Sequence, residues 1–136
     1  MNRKQKLIAA AALAAVAATW AIPAQAGRTL NAVKSRGMVV CGVNTAAPGF
    51  SGADSRGHWK GLDVDICRAV AAAVLKDANK VKFVPLSSEQ RFTALQSGQI
   101  DILARNTTWS MSRDASQGSV FVAMDYLDGQ GFMVPK

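Results

Sequence analysis

The sequence predicts an α/β fold built on a mainly parallel sheet. Three short runs of β-forming residues, Met38–Val43, Lys80–Pro85 and Ile100–Ala104, carry the strand signal. Two segments with helical spacing lie between them, one over Leu62–Lys76 and one opening at Ser87 and stopping at Gly98. Strand, helix, strand, helix, strand in that order makes successive right-handed βαβ units, which lay their strands side by side in parallel.

The chain opens with a segment that does not belong to the fold. Arg3, Lys4 and Lys6 form a basic head, Leu7 to Ile22 carries no charge, and Ala24-Gln25-Ala26 follows Pro23. A basic head, an apolar middle and a small-x-small end make a secretory signal peptide over 1–26, with cleavage expected after Ala26. Its weak, Ala-rich hydrophobicity argues against a spanning anchor, which needs roughly 20 strongly apolar residues. Residues 27–136 are then the exported domain, long enough for one small core.

Thr29–Arg36 reads as a short helix, with Thr29 as its cap, Leu30 and Val33 on one face and Gly37 as its stop. After the first strand, Asn44–Gly61 holds Pro48, Gly49, Gly52, Gly57 and Gly61, a long turn-rich loop or a hairpin. In the helix that follows, Leu62, Ile66, Ala69, Val70, Ala73 and Val74 recur at three- and four-residue spacing. Asp63 and Asp65 in its first turn and Lys76 in its last suit the helix dipole. Ser87 and Gln90 have capping-box spacing for the next helix, and Phe92 and Leu95 are expected to face inward. Arg105–Gly118 reads as a polar loop with a helical turn near Ser112–Ser116. Val120–Val122 and Gly129–Val134 are read as two more strands.

Charge and composition exclude several classes. Without its basic head the chain has 13 Lys and Arg against nine Asp and Glu, a net charge of +4, scattered along the sequence. No basic block interleaved with aromatics is present, so nucleic-acid binding is not indicated. The lone His58 sits beside Gly57 and Trp59 in a polar loop, and no Cys-x-x-Cys spacing exists, so no metal site is expected. A P-loop, a dinucleotide fingerprint and a nucleophile elbow are absent, and no cofactor or enzymatic role is indicated. Glu89 is the only glutamate, and its place at a helix start favours capping over catalysis. Cys41 and Cys67, in an exported chain, suggest a disulfide that closes a loop of roughly 25 residues and contributes about 3 kcal/mol. The alternative is a pair of buried free thiols.

Ligands of open α/β sheets bind at the carboxyl ends of the strands. Two polar segments fall there: Asn44-Thr45 after the first strand, and Arg105-Asn106-Thr107-Thr108-Trp109-Ser110 after the third, with Arg113 close behind. Arg113 offers a planar fork matched to a carboxylate. Thr107, Thr108 and backbone N–H groups can complete an anion cradle. Asn44 and Asn106, with backbone carbonyls, can accept hydrogen bonds from an ammonium, and Phe50 and Trp109 can cover an apolar stem. Carboxylate and ammonium together define an amino acid. The competing reading pairs Arg105 and Arg113 with Asp101, Asp114 or solvent.

Several stretches resemble a known family. They are Val40-Cys41-Gly42-Val43-Asn44-Thr45, Gly61-Leu62-Asp63-Val64-Asp65-Ile66-Cys67-Arg68-Ala69 and Arg91-Phe92-Thr93-Ala94-Leu95-Gln96-Ser97-Gly98. The likeness continues through Asp101 and Arg105–Ser110 to Asp128-Gly129-Gln130-Gly131-Phe132. The chain resembles the N-terminal part of the family 3 periplasmic solute-binding proteins of amino-acid ABC importers, closest to their general L-amino acid-binding subgroup. Both cysteines sit where that subgroup carries them. The resemblance implies a type II periplasmic-binding fold, an L-amino acid ligand and an inner-membrane ABC permease as partner. It implies that Arg113 clamps the α-carboxylate with help from Thr108, and that Asn106 and Asn44 serve the amino group. Arg105 and Trp109 would shape the side-chain pocket, with Phe50 near a pocket aromatic. Members of the family are longer: Gly129–Val134 corresponds to the strand that crosses to a second lobe. Weak or no ligand binding by this chain alone is therefore expected. A cyclohexadienyl-dehydratase-like enzyme on the same fold, a sensory module and an inactive remnant are the alternatives.

Overall fold

The computed structural model describes residues 27–135; the expected signal peptide over 1–26 lies outside them. The elements in chain order are α1 (Arg28–Arg36), β1 (Val39–Asn44), β2 (Gly52–Ala53), β3 (Trp59–Lys60), α2 (Leu62–Leu75), β4 (Val81–Leu86), α3 (Gln90–Gln96), β5 (Ile102–Leu103) and α4 (Met111–Ser116). β1 lies at the centre of a three-stranded sheet in the order β4-β1-β5, parallel to both neighbours. Its register with β4 runs from Val39 opposite Val81 to Asn44 opposite Leu86. Cys41 and Gly42 face Ile102 and Leu103. Two consecutive βαβ crossovers produce this order, as the alternation of elements predicts.

Side chains alternate across a strand, and β1 uses the alternation to separate two layers. On one face Cys41 and Val43 join Cys67 of α2 and Ala104, packed by Trp59, Ile66, Val81, Phe83 and Ile102. Val39 meets Val33 of α1 and Ala71 of α2 on the same side. On the other face Leu86, Ala94 of α3 and Ile100 close together with Val40, Val84, Leu95 and Leu103. Gly42 is the point where that second layer converges. A Cβ there would meet the terminal methyls of Ile100, Leu86 and Leu103 at 2.7, 2.9 and 3.1 Å.

Cys41 and Cys67 are joined as a disulfide, with Cα atoms 6.2 Å apart, and both are fully buried. The bond fastens the central strand to α2. The long loop after β1 is a hairpin: β2 and β3 pair antiparallel, and the Asp54 carboxylate closes the turn by accepting the Arg56 and His58 amides. His58, Arg56 and Lys60 lie around that carboxylate, which these hydrogen bonds hold below the usual aspartate range, the His58 amide contributing most. The capping box forms as its spacing predicts: Ser87 Oγ accepts the Gln90 amide, and Gln90 Oε1 accepts the Ser87 amide, each at 3.3 Å.

Four expectations are corrected. α1 begins at Arg28 with Gly27 as its cap, so Thr29 lies inside the first turn and no side chain caps the helix. Lys76 is not in the last turn of α2 but is its left-handed cap, at φ 59°. The third strand shortens to Ile102–Leu103, because Asp101 turns its carboxylate onto the Val40 amide at 2.7 Å. Val120–Val122 and Gly129–Val134 form no strands; residues 118–135 have no regular secondary structure. Val120, Val122, Phe132, Met133 and Val134 are each at least 80% exposed. β-propensity expresses itself only where a partner strand supplies a ladder and a face to pack on, and among the described residues β5 pairs with β1 alone.

Candidate functional site

The carboxyl ends of β1, β4 and β5 bring together most of the residues singled out from sequence. Asn44 ends β1, and its Nδ2 donates to Asn106 Oδ1 at 2.9 Å. Arg105 leaves the end of β5 and crosses the top of β1, donating from Nη1 to the Leu86 carbonyl at the end of β4, 2.7 Å away. Its Nη2 reaches Ser88 Oγ and Asn106 Oδ1, both at 3.4 Å. Arg105 is only 8% exposed, and burial lowers its pKa from the ordinary arginine value, opposed by the charges of Asp63 and Glu89. The resemblance implies a place for Arg105 in the side-chain pocket; in the fold its guanidinium also braces the strand ends.

Arg113 stands in α4, directly after the polar loop, and donates from Nη1 to the Thr108 carbonyl at 2.8 Å. Among the described residues no carboxylate forms an ion pair with it. Asp101, a candidate competitor, is taken by Arg36 and the Val40 amide. Arg113 and Thr108 thus occupy one end of the Asn106–Arg113 segment with the guanidinium unneutralised.

The two aromatics singled out from sequence, Phe50 and Trp109, are each covered by a residue of the irregular segment after Gly118. Trp109 stacks on Phe121 at 5.4 Å between centroids, and Phe50 meets Tyr126 edge-on at 5.0 Å. Phe50 is tied to the first strand through its neighbour, since Ser51 Oγ donates to the Asn44 carbonyl at 3.2 Å.

Two residues escaped the sequence reading. Arg91, in the first turn of α3, is 8% exposed and donates from Nη1 to the Asn106 carbonyl and the Thr107 hydroxyl, at 3.4 and 3.2 Å. Burial lowers its pKa first, then the nearby positive charges of Arg105 and Arg113. Its signal in the sequence is an arginine three residues before Ala94, on the face that α3 buries. Asp63, 2% exposed at the start of α2, has an Oδ2 without a hydrogen bond. Burial raises its pKa, Asp125 adds to the effect, and Arg105 opposes it. As a first-turn acid it looked like a dipole partner; only the packed structure shows it enclosed.

A cavity of about 610 Å³ opens along the free edge of β5. Leu30, Val33 and Val70 line it on one side and Phe92 and Leu95 on the other, with Val120 and Phe121 lying across it. Its lining is mostly apolar, and it reaches the strand-tip cluster at Arg105 and Thr107.

Parallel strands whose carboxyl ends carry an unneutralised arginine, a threonine and linked asparagines make a partial lobe of the type II periplasmic-binding class. The chain belongs to the bacterial extracellular solute-binding proteins, family 3, whose model matches residues 39–136. It is 54% identical over 133 residues to the general L-amino acid-binding periplasmic protein AapJ of Rhizobium johnstonii, covering 98% of this chain and 39% of that protein. The chain therefore spans about two fifths of that relative's length. Among solved structures, the periplasmic binding protein from Brucella ovis with glutathione bound matches at a TM-score of 0.72 and 52% identity, over 74% of this chain and 32% of that one. The arginine-bound domain 1 from TmArgBP, as its Phe57Trp mutant, matches at 0.56 and 25% identity, over 62% of this chain and 64% of that one.

Proposed function

We propose that residues 27–136 are the N-terminal part of the first lobe of a periplasmic receptor that captures L-amino acids for an ABC importer. Arg113 receives the α-carboxylate with Thr108 beside it, Asn44 and Asn106 lie at the polar centre of the site, and Phe50 and Trp109 border it. The observation that carries this reading is the guanidinium of Arg113, placed after the strand tips with a backbone carbonyl as its hydrogen-bond partner and, among the described residues, no carboxylate paired with it. A planar fork in that state is suited to a two-point grip on an organic acid. The similarity to a general L-amino acid-binding protein supports the ligand class. The arginine-bound single domain of a distant relative supports ligand retention by one lobe. Residues 1–26 direct export and are removed after Ala26, and the partner is an inner-membrane ABC permease.

Residues 27–136 by themselves supply the contacts of one lobe, for which an affinity of about 1 mM, roughly 4 kcal/mol, is expected. Titration calorimetry of the exported chain against a panel of L-amino acids tests this. Measurable heats that vanish in Arg113→Ala, at unchanged thermal stability, support the reading. Silence for every amino acid, or binding untouched by Arg113→Ala, rejects it. N-terminal sequencing of the periplasmic product tests the cleavage, with Gly27 expected as its first residue.

A further inference from the structure

The direction in which two asparagine amides point decides what the strand-tip site can hold, and Arg105 sets that direction. A guanidinium has donors and no acceptor. The Asn106 atom facing Arg105 Nη2 at 3.4 Å is therefore its carbonyl oxygen. That oxygen also takes the Asn44 Nδ2 donor at 2.9 Å. Asn44 must then turn its own oxygen to its loop, where the Ala46 amide and the Thr45 hydroxyl donate to it, both at 3.4 Å. Each orientation follows from the one before it, beginning at a side chain that cannot reverse its role. Arg105 is itself fixed by the Leu86 carbonyl at 2.7 Å and by its burial.

The consequence falls on Asn106. Its oxygen is committed to two donors, whereas its Nδ2 group has no hydrogen-bond partner among the described residues, and the residue is exposed. The side chain therefore offers the site two N–H donors. An ammonium, which only donates, finds no partner there; a carboxylate does.

We propose that Arg105 is a positioning residue that makes the Asn106 side chain a hydrogen-bond donor, so that this side chain engages the ligand's carboxylate together with Arg113 and leaves the ammonium to backbone carbonyls. The proposal rests on the amino-acid-binding reading and changes the role that Asn106 has within it.

Asn106→Asp separates the two roles. It keeps an oxygen facing Arg105 and Asn44 and exchanges the outward donor for an acceptor, at an exposed position where folding is not at stake. Calorimetry with L-alanine and L-glutamine is expected to show affinity reduced at least about tenfold, the scale of one lost hydrogen bond to a charged group. With L-alaninamide, which keeps the ammonium and lacks the carboxylate, the variant is expected to bind no more weakly than the parent chain. Equal or tighter binding of L-alanine by Asn106→Asp overturns the proposal while leaving the amino-acid reading intact. Absence of binding by the parent chain overturns both. The positioning role is read from Arg105→Met and Arg105→Lys: Met loses L-alanine affinity and Lys, which retains a donor, recovers it. Equal affinities for the Met and Lys variants reject the positioning role even if Asn106→Asp behaves as expected.

Discussion

Gly61 presses its backbone against that of Phe50: a Cβ on Gly61 would lie 2.2 Å from the Phe50 carbonyl oxygen. The contact seats the start of α2 on the loop before β2. The Leu62 amide donates to the Gly49 carbonyl and the Asp63 amide to the Phe50 carbonyl, each at 3.0 Å. Gly61 also has φ 123°, outside the range that other residues adopt without strain. Gly61→Ala is expected to cost about 3 kcal/mol or more, combining backbone strain with displacement of the Phe50 loop. Urea unfolding measures it, and a loss below about 1 kcal/mol would mean that the loop moves aside freely.

Cys41 and Cys67 are separated by 26 residues, and their bond ties the middle strand of the sheet to α2. Replacing both by serine is expected to lower unfolding free energy by about 3 kcal/mol from loop closure. Placing two hydroxyls among apolar side chains adds to that loss. A double variant with an unshifted denaturation midpoint would contradict this account.

Asp63 makes stability depend on pH. Its folded pKa is raised above the ordinary value of 3.8, mainly by burial and then by Asp125. Between those two values the folded state binds more protons than the unfolded state, so this group's contribution to stability falls as pH rises from near 3.8 through the raised pKa. Asp63→Asn removes the fall. The melting temperature of Asp63→Asn minus that of the parent chain is therefore expected to increase with pH across that window; a flat difference would refute the assignment.

Asp101 joins β1, β5 and the end of α1 through one carboxylate oxygen, which accepts the Val40 amide and pairs with Arg36. Asp101→Ala leaves a strand amide unpaired, at a cost of about 1–3 kcal/mol. The amide of Val40 is expected to lose hydrogen-exchange protection well ahead of those of Cys41 and Val43, and uniform behaviour of the three would count against the local role.

The parallel layout was legible in the sequence because each early element carries its own local signal. Examples are the three- and four-residue spacing from Leu62 to Val74 and the Ser87–Gln90 box. The segment after Gly118 has only composition to offer. Val120, Phe121 and Val122 favour a strand anywhere, but a strand exists only beside another, and no local pattern states whether the edge of β5 will be met. At the site, Arg113 and the asparagines could be found as polar residues following strands. The bracing role of Arg105 could not, because it depends on the Leu86 carbonyl, 19 residues away in sequence and brought near only by the sheet. Arg91 was hidden for a related reason: an arginine in a helix reads as solvated until its neighbours enclose it.

Both sulfurs of the Cys41–Cys67 bridge lie where solvent has no access. A dilute thiol can attack only in moments when α2 lifts from the sheet, so the pace of reduction becomes a clock for that opening. Followed with and without an added amino acid, the clock would register whether occupancy at the strand tips is felt by the layer beneath them.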